Sequence, residues 1–328
     1  MNISFGSRAP SKDAVDTIRT ARTPRATPRS GGMPTITAPM PPEEIRLDQS
    51  FGHQWPARDQ FGRGTCVAFA TIAAVELLQA RSADMPPERL SEQFLHDTII
   101  HMHPLGDAAA AEVPEGGVLL HQALSAVQKH GVFDAKIAPY KPAGIGFNHE
   151  PEKMAEVLNT GTGNTVDIHA YGTIGDAPEL NVASVEAIAP GEQTAETLLS
   201  FLRADLPVAV GLPLFRHASG LSNWTTPSAI RSGIILCPED AGAPTFEGPR
   251  TDGHVVCVTG FIPDPAEPLG GWFVFRNSWG LEFASHANLP DSRQMSGTRG
   301  YGLLSATHVN NYCWEYLVLK SKDPEGTA

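Results

Sequence analysis

The sequence predicts an α+β fold in which a mainly helical half, residues 43–160, precedes a strand-rich half, residues 161–328. Residues 66–80 are apolar on nearly every face, which is typical of a helix buried in the centre of a domain. From residue 166 onward the apolar residues come in short branched runs bounded by turn-forming residues, which indicate strands. We therefore expect a helical lobe and a sheet or barrel lobe with a cleft between them.

The predicted elements follow in that order along the chain. Further helical patterns lie at about 90–101, 118–130 and 151–159, and one more lies near 194–204. The strand patterns cover residues 166–174, 207–212, 254–262, 272–276 and 301–304. Segments 213–250 and 281–299 are rich in Pro, Gly and Ser, and are expected to rim the cleft as long loops.

The first 42 residues predict a disordered extension ahead of one folded domain at 43–328. They are rich in Ser, Thr, Pro, Arg and Gly, with few aromatic or branched residues to form a core. Their net charge is +4, which leaves −16 for the rest of the chain. We hypothesise that this basic tail docks on the acidic body and inhibits it, so that a 43–328 fragment is more active than the full chain.

Composition and charge exclude several classes of partner. The net charge of −12 argues against nucleic acid. No apolar run reaches the ~18 residues of a membrane span, and no charged start followed by an apolar stretch marks a secretory signal. We expect a cytoplasmic protein that binds no membrane, or one exported by a route that leaves no such mark, and the sequence leaves the oligomeric state open.

The sequence predicts neither a metal nor a cofactor. Its four cysteines show no paired spacing and no Cys-x-x-Cys motif, and Cys257 lies in an apolar strand pattern where we expect it to be buried. His96, His101 and His103 lie close together in the chain but lack a further ligand pattern. We expect these histidines to lie at the surface or at helix ends.

Cys66 is the candidate nucleophile. A Gly-rich turn at 60–65 runs directly into the apolar helix, which places the sulfur at the helix N-terminus. There the unpaired backbone N–H groups and the positive end of the macrodipole favour thiolate over thiol. A cysteine in an apolar helical run is otherwise usually a buried small hydrophobe, so the assignment depends on residues elsewhere in the chain.

Three other residues supply that context. Gln60 stands six residues before Cys66, His254 lies in an Asp-Gly-His-Val-Val segment, and Asn277 lies in Asn-Ser-Trp-Gly. In this order the four residues resemble the papain-like cysteine peptidases of the C1 family. Further landmarks of the resemblance, spread over most of the chain, are the segments 90–93, 116–117, 206–210 and 300–302.

The resemblance implies a two-lobed papain-like fold, with a helical lobe, a β-barrel-like lobe and the active-site cleft between them. It also implies a role for each residue. The Cys66 thiolate and His254 imidazolium would form the reactive pair, with Asn277 orienting the imidazole. The Gln60 side-chain amide and the Cys66 backbone N–H would form the oxyanion hole. Trp279 would shield the hydrogen bond between Asn277 and His254 from water.

The resemblance also implies where a substrate binds. The residues concerned are Gly116, Gly117, Val118, Leu119, Gly211, Val255 and Trp279. The two adjacent glycines would pair with the backbone of an extended peptide, although an ordinary turn is an alternative for them. The next four residues would line the pocket for the P2 side chain. Because all four are apolar or small, we expect an apolar preference at P2.

The chain departs from the family at one disulfide. Arg63 stands where the family has a half-cystine three residues before the nucleophile, and Pro114 stands where its partner is expected. Both halves are missing together, which fits a reducing compartment and a bacterial-type member. Val67 replaces the tryptophan that usually follows the nucleophile, and we expect its side chain to point into packing.

These observations predict a papain-like cysteine endopeptidase that acts on peptide or protein substrates. Two alternatives remain. The same Cys-His-Asn chemistry resolves a thioester with an amine in a transpeptidase or acyl transferase. A catalytically silent binding protein on this scaffold is less favoured, because it has no need to keep Gln60, Cys66, His254 and Asn277 together.

Overall fold

The computed structural model describes residues 7–8, 43–51, 54–103, 117–142, 173–174, 194–285 and 299–319. The helices in these ranges are α1 Cys66–Ala83, α2 Glu92–Met102, α3 Leu120–His130, α4 Thr194–Arg203, α5 Pro227–Ser232 and α6 Ala306–Tyr312. The strands are β1 Ser7–Arg8, β2 Ile45–Arg46, β3 Thr173–Ile174, β4 Val208–His217, β5 Ile234–Ile235, β6 Phe246–Pro263, β7 Gly271–Arg276, β8 Tyr301–Ser305 and β9 Glu315–Val318.

The strands form one mixed sheet in the order β3-β9-β4-β6-β7-β8-β5, and β1 and β2 also pair with β6. Neighbours are antiparallel except β5 and β8, which run parallel. In the described part of the chain, β3 and β5 end this order and do not pair with each other. The α+β class is therefore confirmed, whereas the expected barrel is wrong because the sheet stays open.

Helix α1 is the centre of the helical half. It begins at Cys66 and ends at Ala83, because the next residue, Asp84, has a left-handed backbone (φ 50°) that breaks the helical repeat. It packs against α2 and α3 on one side and against β4 and β6 on the other. Apolar residues all round the helix are buried by these contacts, as the sequence pattern predicts.

A network of buried charges holds the segment just before α1. The Arg58 guanidinium lies 2.7 Å from a Glu76 carboxylate oxygen on α1 and 2.6 Å from a Glu92 oxygen on α2. Glu76 also accepts hydrogen bonds from the Trp55 indole N–H and the Leu90 backbone N–H, both at 2.8 Å. The segment that precedes the candidate nucleophile is thus attached to both α1 and α2.

The predicted helices and strands agree with the structure wherever it describes them, apart from segment 213–250. There the structure replaces most of the expected long loop with the end of β4, α5, β5 and the start of β6. The sequence pattern also missed α6 and β9. The predicted helix at 151–159 and most of the strand at 166–174 lie outside the described residues. No helix in the described part of the chain is long and apolar enough to span a membrane.

Candidate active site

Cys66 is the first residue of α1, as predicted, and no part of it is exposed to solvent. The preceding residue, Thr65, is the helix N-cap and shares a hydrogen bond of 2.9 Å with the Tyr140 hydroxyl. That hydroxyl also donates to the Gln60 carbonyl at 2.8 Å. Tyr140 therefore anchors the turn that carries the sulfur.

His254 and Asn277 lie side by side on neighbouring strands. His254 lies in β6, Asn277 directly follows β7, and the ring Nε2 is 2.8 Å from the Asn277 amide oxygen. An amide oxygen can only accept, so Nε2 carries the proton and Nδ1 is left as the basic nitrogen of the neutral ring. The same oxygen accepts the Ser278 backbone N–H at 2.8 Å, which fixes its direction.

Two tryptophans enclose the His254 ring. Trp279 stacks on it with ring centres 4.6 Å apart and an interplanar angle of 27°. Trp224 meets it edge-on, with centres 4.9 Å apart. Trp279 thus lies where it can shield the bond to Asn277. Trp224 was not predicted, because it lies in a segment expected to be a loop.

Burial changes the favoured charge of this ring. His254 has no exposed surface, and burial lowers its pKa to about 4, although the bond to Asn277 opposes that shift. A neutral ring is therefore favoured in this closed state, in contrast to the imidazolium expected from the sequence. An imidazolium requires that water or a negative partner reach the site.

Gln60 links the nucleophile turn to the Asn277 segment. Its side-chain oxygen accepts the Ser278 hydroxyl at 2.5 Å, and its backbone N–H donates to the Ser278 carbonyl at 2.8 Å. Its amide nitrogen donates one hydrogen to the Arg63 carbonyl at 2.6 Å. These contacts join the helical half to the sheet next to the candidate site. Ser278 was not singled out from the sequence.

This architecture matches many solved structures. Xylellain, a cysteine protease from Xylella fastidiosa, aligns over 97% of this chain and 92% of its own, with a TM-score of 0.51 and 16% identity. The fold is that of the papain-like cysteine proteases. The Amb a 11 cysteine protease of ragweed pollen, in its proform, aligns over 88% of this chain and 69% of its own, with a TM-score of 0.52 and 19% identity. Digestive procathepsin L 3 of Tenebrio molitor aligns over 88% and 73%, with a TM-score of 0.50 and 17% identity. No family model and no curated protein matches the sequence.

Arg63 occupies the position where papain-like enzymes were expected to have a half-cystine. Its buried guanidinium donates to the Gln93 side-chain oxygen at 2.7 Å and to the Lys141 carbonyl at 2.9 Å. It also lies 4.9 Å from the centre of the Tyr140 ring. All four cysteines are buried and none forms a disulfide, so polar contacts of Arg63 connect the nucleophile turn to its surroundings where a disulfide is missing.

The predicted substrate-binding residues in the described ranges are mostly buried. Val118 and Val255 have no exposed surface and Leu119 is 8% exposed, while Gly117 has the positive φ of 80° that glycine tolerates. Gly116 lies outside the described residues. Val118, Leu119 and Val255 are therefore packed in the interior, and the P2 pocket that they were expected to line stays a prediction.

Gly211 has neighbours that the sequence did not predict. A side chain at this position would come within 2.6 Å of the Trp314 indole nitrogen and 3.0 Å of Glu315 Cγ. The buried Glu315 carboxylate accepts the Leu120 backbone N–H at 3.0 Å, and burial raises its pKa to about 8. An ionisable group therefore lies next to the apolar lining. β9, the strand that carries Glu315, was itself missed.

The N-terminal strand β1 lies next to the candidate site. Its two residues pair antiparallel with β6, Ser7 opposite Gly253 and Arg8 opposite Asp252. Gly253 immediately precedes His254, so the N-terminal segment pairs with the chain directly beside the candidate base. Residues 7 and 8 of the 1–42 extension therefore form a strand, and the disorder expected of that extension stays a prediction.

Two other sequence predictions concern isolated histidines and cysteines. His96 is fully buried, so its predicted place at the surface or a helix end is wrong. The reason is that α2 packs on both α1 and α3. The predicted burial of Cys257 is confirmed. Among the described residues, His96, His101 and His103 belong to no cluster of metal-ligating groups.

Proposed function

We propose that this chain is a cysteine peptidase that hydrolyses peptide bonds through Cys66 and His254. The observation that carries the proposal is the bond of 2.8 Å between His254 Nε2 and the Asn277 oxygen, in a papain-like fold with a cysteine at the start of α1. That bond fixes the tautomer whose Nδ1 accepts a thiol proton. Stacked Trp279 holds the ring in that orientation.

The proposed reaction has two halves. His254 takes the proton from Cys66, the sulfur attacks the substrate carbonyl carbon, and His254 returns that proton to the leaving amine as the C–N bond breaks. His254 then takes a proton from water, which attacks the thioester. The C–S bond breaks, His254 returns the proton to the Cys66 sulfur, and the carboxylic acid product leaves. The oxyanion formed in each half would bind the Cys66 backbone N–H and the second N–H of the Gln60 amide.

The substrate class is a peptide or protein segment bound in extended form. We propose that Val118, Leu119, Gly211 and Val255 line the P2 pocket and favour an apolar P2 side chain, since three of the four are apolar and Gly211 carries no side chain. Glu315 lies next to Gly211, but burial raises its pKa to about 8, so below that pH it is protonated and gives no charge that favours a basic side chain. A library profile led by Arg or Glu at P2 would contradict the apolar preference.

We propose that β1 controls access to this site. An extended substrate gains main-chain hydrogen bonds by pairing with an exposed strand, and β1 already occupies the backbone of β6 at Asp252 and Gly253. Cys66 and His254 are both fully buried, so a substrate reaches them only after part of the chain moves. Displacement of β1 is the movement that exposes the backbone beside His254.

The test is cleavage of a peptide library by the full chain in reductant, followed by mass spectrometry. We expect cleavage by the wild type and by Cys257→Ala, which loses a buried thiol outside the site, and none by Cys66→Ala. Cleavage that persists in Cys66→Ala would overturn the proposal. Adding a primary amine separates hydrolysis from acyl transfer, because a transferase forms amide products at the expense of free acid.

A further inference from the structure

A second cluster of ligand-type side chains lies outside the candidate active site. Cys237 follows β5, Asp240 lies three residues further on, and His308 lies in α6. Their sulfur, carboxylate oxygen and ring nitrogen atoms all lie within 4.8 Å of one another. All three residues are buried, with Asp240 the most exposed at 6%. Because Cys237 and His308 are far apart in the chain, no sequence motif predicts this group.

The two ring nitrogens of His308 have different surroundings. Its Nδ1 lies 3.2 Å from the Ile235 backbone carbonyl, which can only accept, so Nδ1 carries the proton. The lone pair of the neutral ring is therefore on Nε2. This atom is buried and has no hydrogen-bond partner among the described residues. Metal-bound histidines use this arrangement, in which one ring nitrogen donates to a carbonyl and the other binds the ion.

The carboxylate of the cluster is also held in place. One Asp240 oxygen accepts the Ser305 hydroxyl at 2.5 Å, and the other accepts the Cys237 backbone N–H at 2.8 Å. Next to it, the exposed Glu239 accepts the Tyr312 hydroxyl at 2.6 Å. An aspartate held by two donors presents its remaining lone pairs in a fixed direction, which is what a bound ion requires of its surroundings.

We propose that Cys237, Asp240 and His308 bind a zinc ion. A thiolate, an imidazole and a carboxylate are the ligands that zinc prefers, and water or the neighbouring Glu239 would supply the fourth ligand. Zinc bond lengths place ligand atoms of one tetrahedral ion about 3.3 to 3.7 Å apart, so the site closes by roughly 1 Å on binding. The thiol proton leaves to solvent as the sulfur–zinc bond forms.

The unpartnered nitrogen of His308 needs an explanation. If Cys237 were only a small core residue, the unpartnered Nε2 of His308 would remain a buried polar atom without compensation.

The ion would join the segment after β5 to α6 at the far end of the chain. This role is structural, and it does not depend on the proposed peptidase activity. A zinc site stabilises the folded chain because the unfolded chain does not hold the three ligands together. We therefore expect zinc to raise the melting temperature of the full chain.

The test uses the full chain with Cys66→Ala, so that the candidate catalytic thiol cannot bind the ion. Zinc is titrated by calorimetry, and cobalt(II) is titrated by absorption, where a thiolate ligand gives a charge-transfer band. We expect one ion per chain, with that band present. Adding Cys237→Ala or His308→Gln should weaken zinc binding by more than ~100-fold, because losing a ligand costs more than losing its supporting contacts. The matched control Cys257→Ala should leave binding unchanged.

The change in melting temperature on adding zinc is a second measurement, which tests the proposal even if one of the variants folds poorly. The proposal requires zinc to raise the melting temperature of the Cys66→Ala chain and to have no such effect on His308→Gln in the same background. Absence of zinc binding by the Cys66→Ala chain would overturn the proposal. Equal affinity in the Cys237→Ala and Cys257→Ala variants would overturn it as well.

Discussion

Asn277 uses one oxygen for two purposes. The oxygen accepts hydrogen bonds from the His254 ring N–H and the Ser278 backbone N–H, both at 2.8 Å. The backbone therefore orients the Asn277 amide, and the amide orients the His254 ring. Asn277→Ala removes this support and should lower kcat about 100-fold, since a misplacement of about 1 Å has effects of that size. Steady-state kinetics on a cleaved peptide check this, with Asn310→Ala, at a half-buried position in α6, as the control. Equal kcat in the two variants would contradict the role given to Asn277.

Glu315 should make stability depend on pH. Its pKa is about 8 in the folded chain because of burial, against an ordinary value of 4.5, so between these values the folded chain keeps a proton that the unfolded chain has lost. The contribution of Glu315 to the free energy of unfolding therefore falls as pH rises from 4.5 to 8. Glu315→Gln removes it, and the variant should gain on the order of 3 kcal/mol relative to wild type between pH 5 and pH 8.

Unfolding in denaturant at the two pH values measures this difference. The exposed Glu282→Gln variant is the control, and it should follow the wild type at both pH values. His254 titrates in the opposite sense, since its lowered pKa makes stability rise with pH between about 4 and 6.5, but that contribution is common to all three proteins. Wild type and Glu315→Gln curves that stay parallel would contradict a buried, protonated Glu315.

At the residue scale, the sequence predicted the parts of the site that carry a local pattern. Cys66 follows a Gly-rich turn, and Asn277 lies in a four-residue motif, so both stand out in the printed chain. Ser278 lies inside that motif, but the motif does not show that its hydroxyl donates to Gln60. Trp224 and Glu315 carry no such pattern. They reach the site because β4, β6 and β9 are neighbours in the sheet and because a turn after β4 folds back, which only the three-dimensional structure reveals.

At the scale of elements, Arg63 connects the nucleophile turn to α2 and to residue 141. Its guanidinium satisfies the Gln93 side-chain oxygen and the Lys141 carbonyl, which Arg63→Ala would leave short of a donor. We expect a loss of about 2 to 4 kcal/mol in the free energy of unfolding. The exposed Arg231→Ala should change it by less than about 0.5 kcal/mol.

Arg63→Lys refines this prediction. A lysine keeps the charge but lacks the planar set of donors that reaches two acceptors at once, so it should restore only part of the lost stability. Chemical denaturation of the three variants at one pH gives the comparison. If Arg63→Ala were no less stable than Arg231→Ala, the guanidinium would not perform the connecting role of the missing disulfide.

The predicted helices and strands were right where the spacing of apolar residues determines the secondary structure. They were wrong where pairing with a distant strand determines it. Helix α1 is apolar on all faces and was predicted at its correct start. The first half of β6 is different, because Pro249 and Gly253 weaken its strand pattern. That stretch is extended because β4 pairs with it, through a register that shifts near Phe215. Such pairing cannot be read from a local window.

At the scale of the whole molecule, the chain closes over its own candidate site. The class of fold and the order of the two halves follow from the sequence, since a helical period gives way to short branched runs. The open sheet and the pairing of β1 with β6 do not, because both depend on contacts between distant segments. The opposite charges of residues 1–42 and of the rest of the chain led only to the expectation that the two parts bind each other.

Loss of β1 pairing should increase activity. Replacing Ser7 and Arg8 by proline removes both backbone N–H groups, while replacing them by alanine removes the same side chains and keeps those groups. If β1 blocks the site, the proline pair should raise kcat/KM at least about tenfold over the alanine pair, because a larger fraction of the molecules is open. Equal values for the two full-length variants would contradict control by β1.

The most direct measurement of the central claim is the site of modification by an epoxysuccinyl thiol trap. The wild type and the β1 proline variant are treated with the trap without denaturant. Their intact masses are measured, and each protein is then digested to locate the adduct. The account predicts one adduct per chain, on Cys66 alone, formed faster in the proline variant and absent in Cys66→Ala. An adduct on Cys237, Cys257 or Cys313, or no adduct on either protein, would contradict a reactive thiol at Cys66.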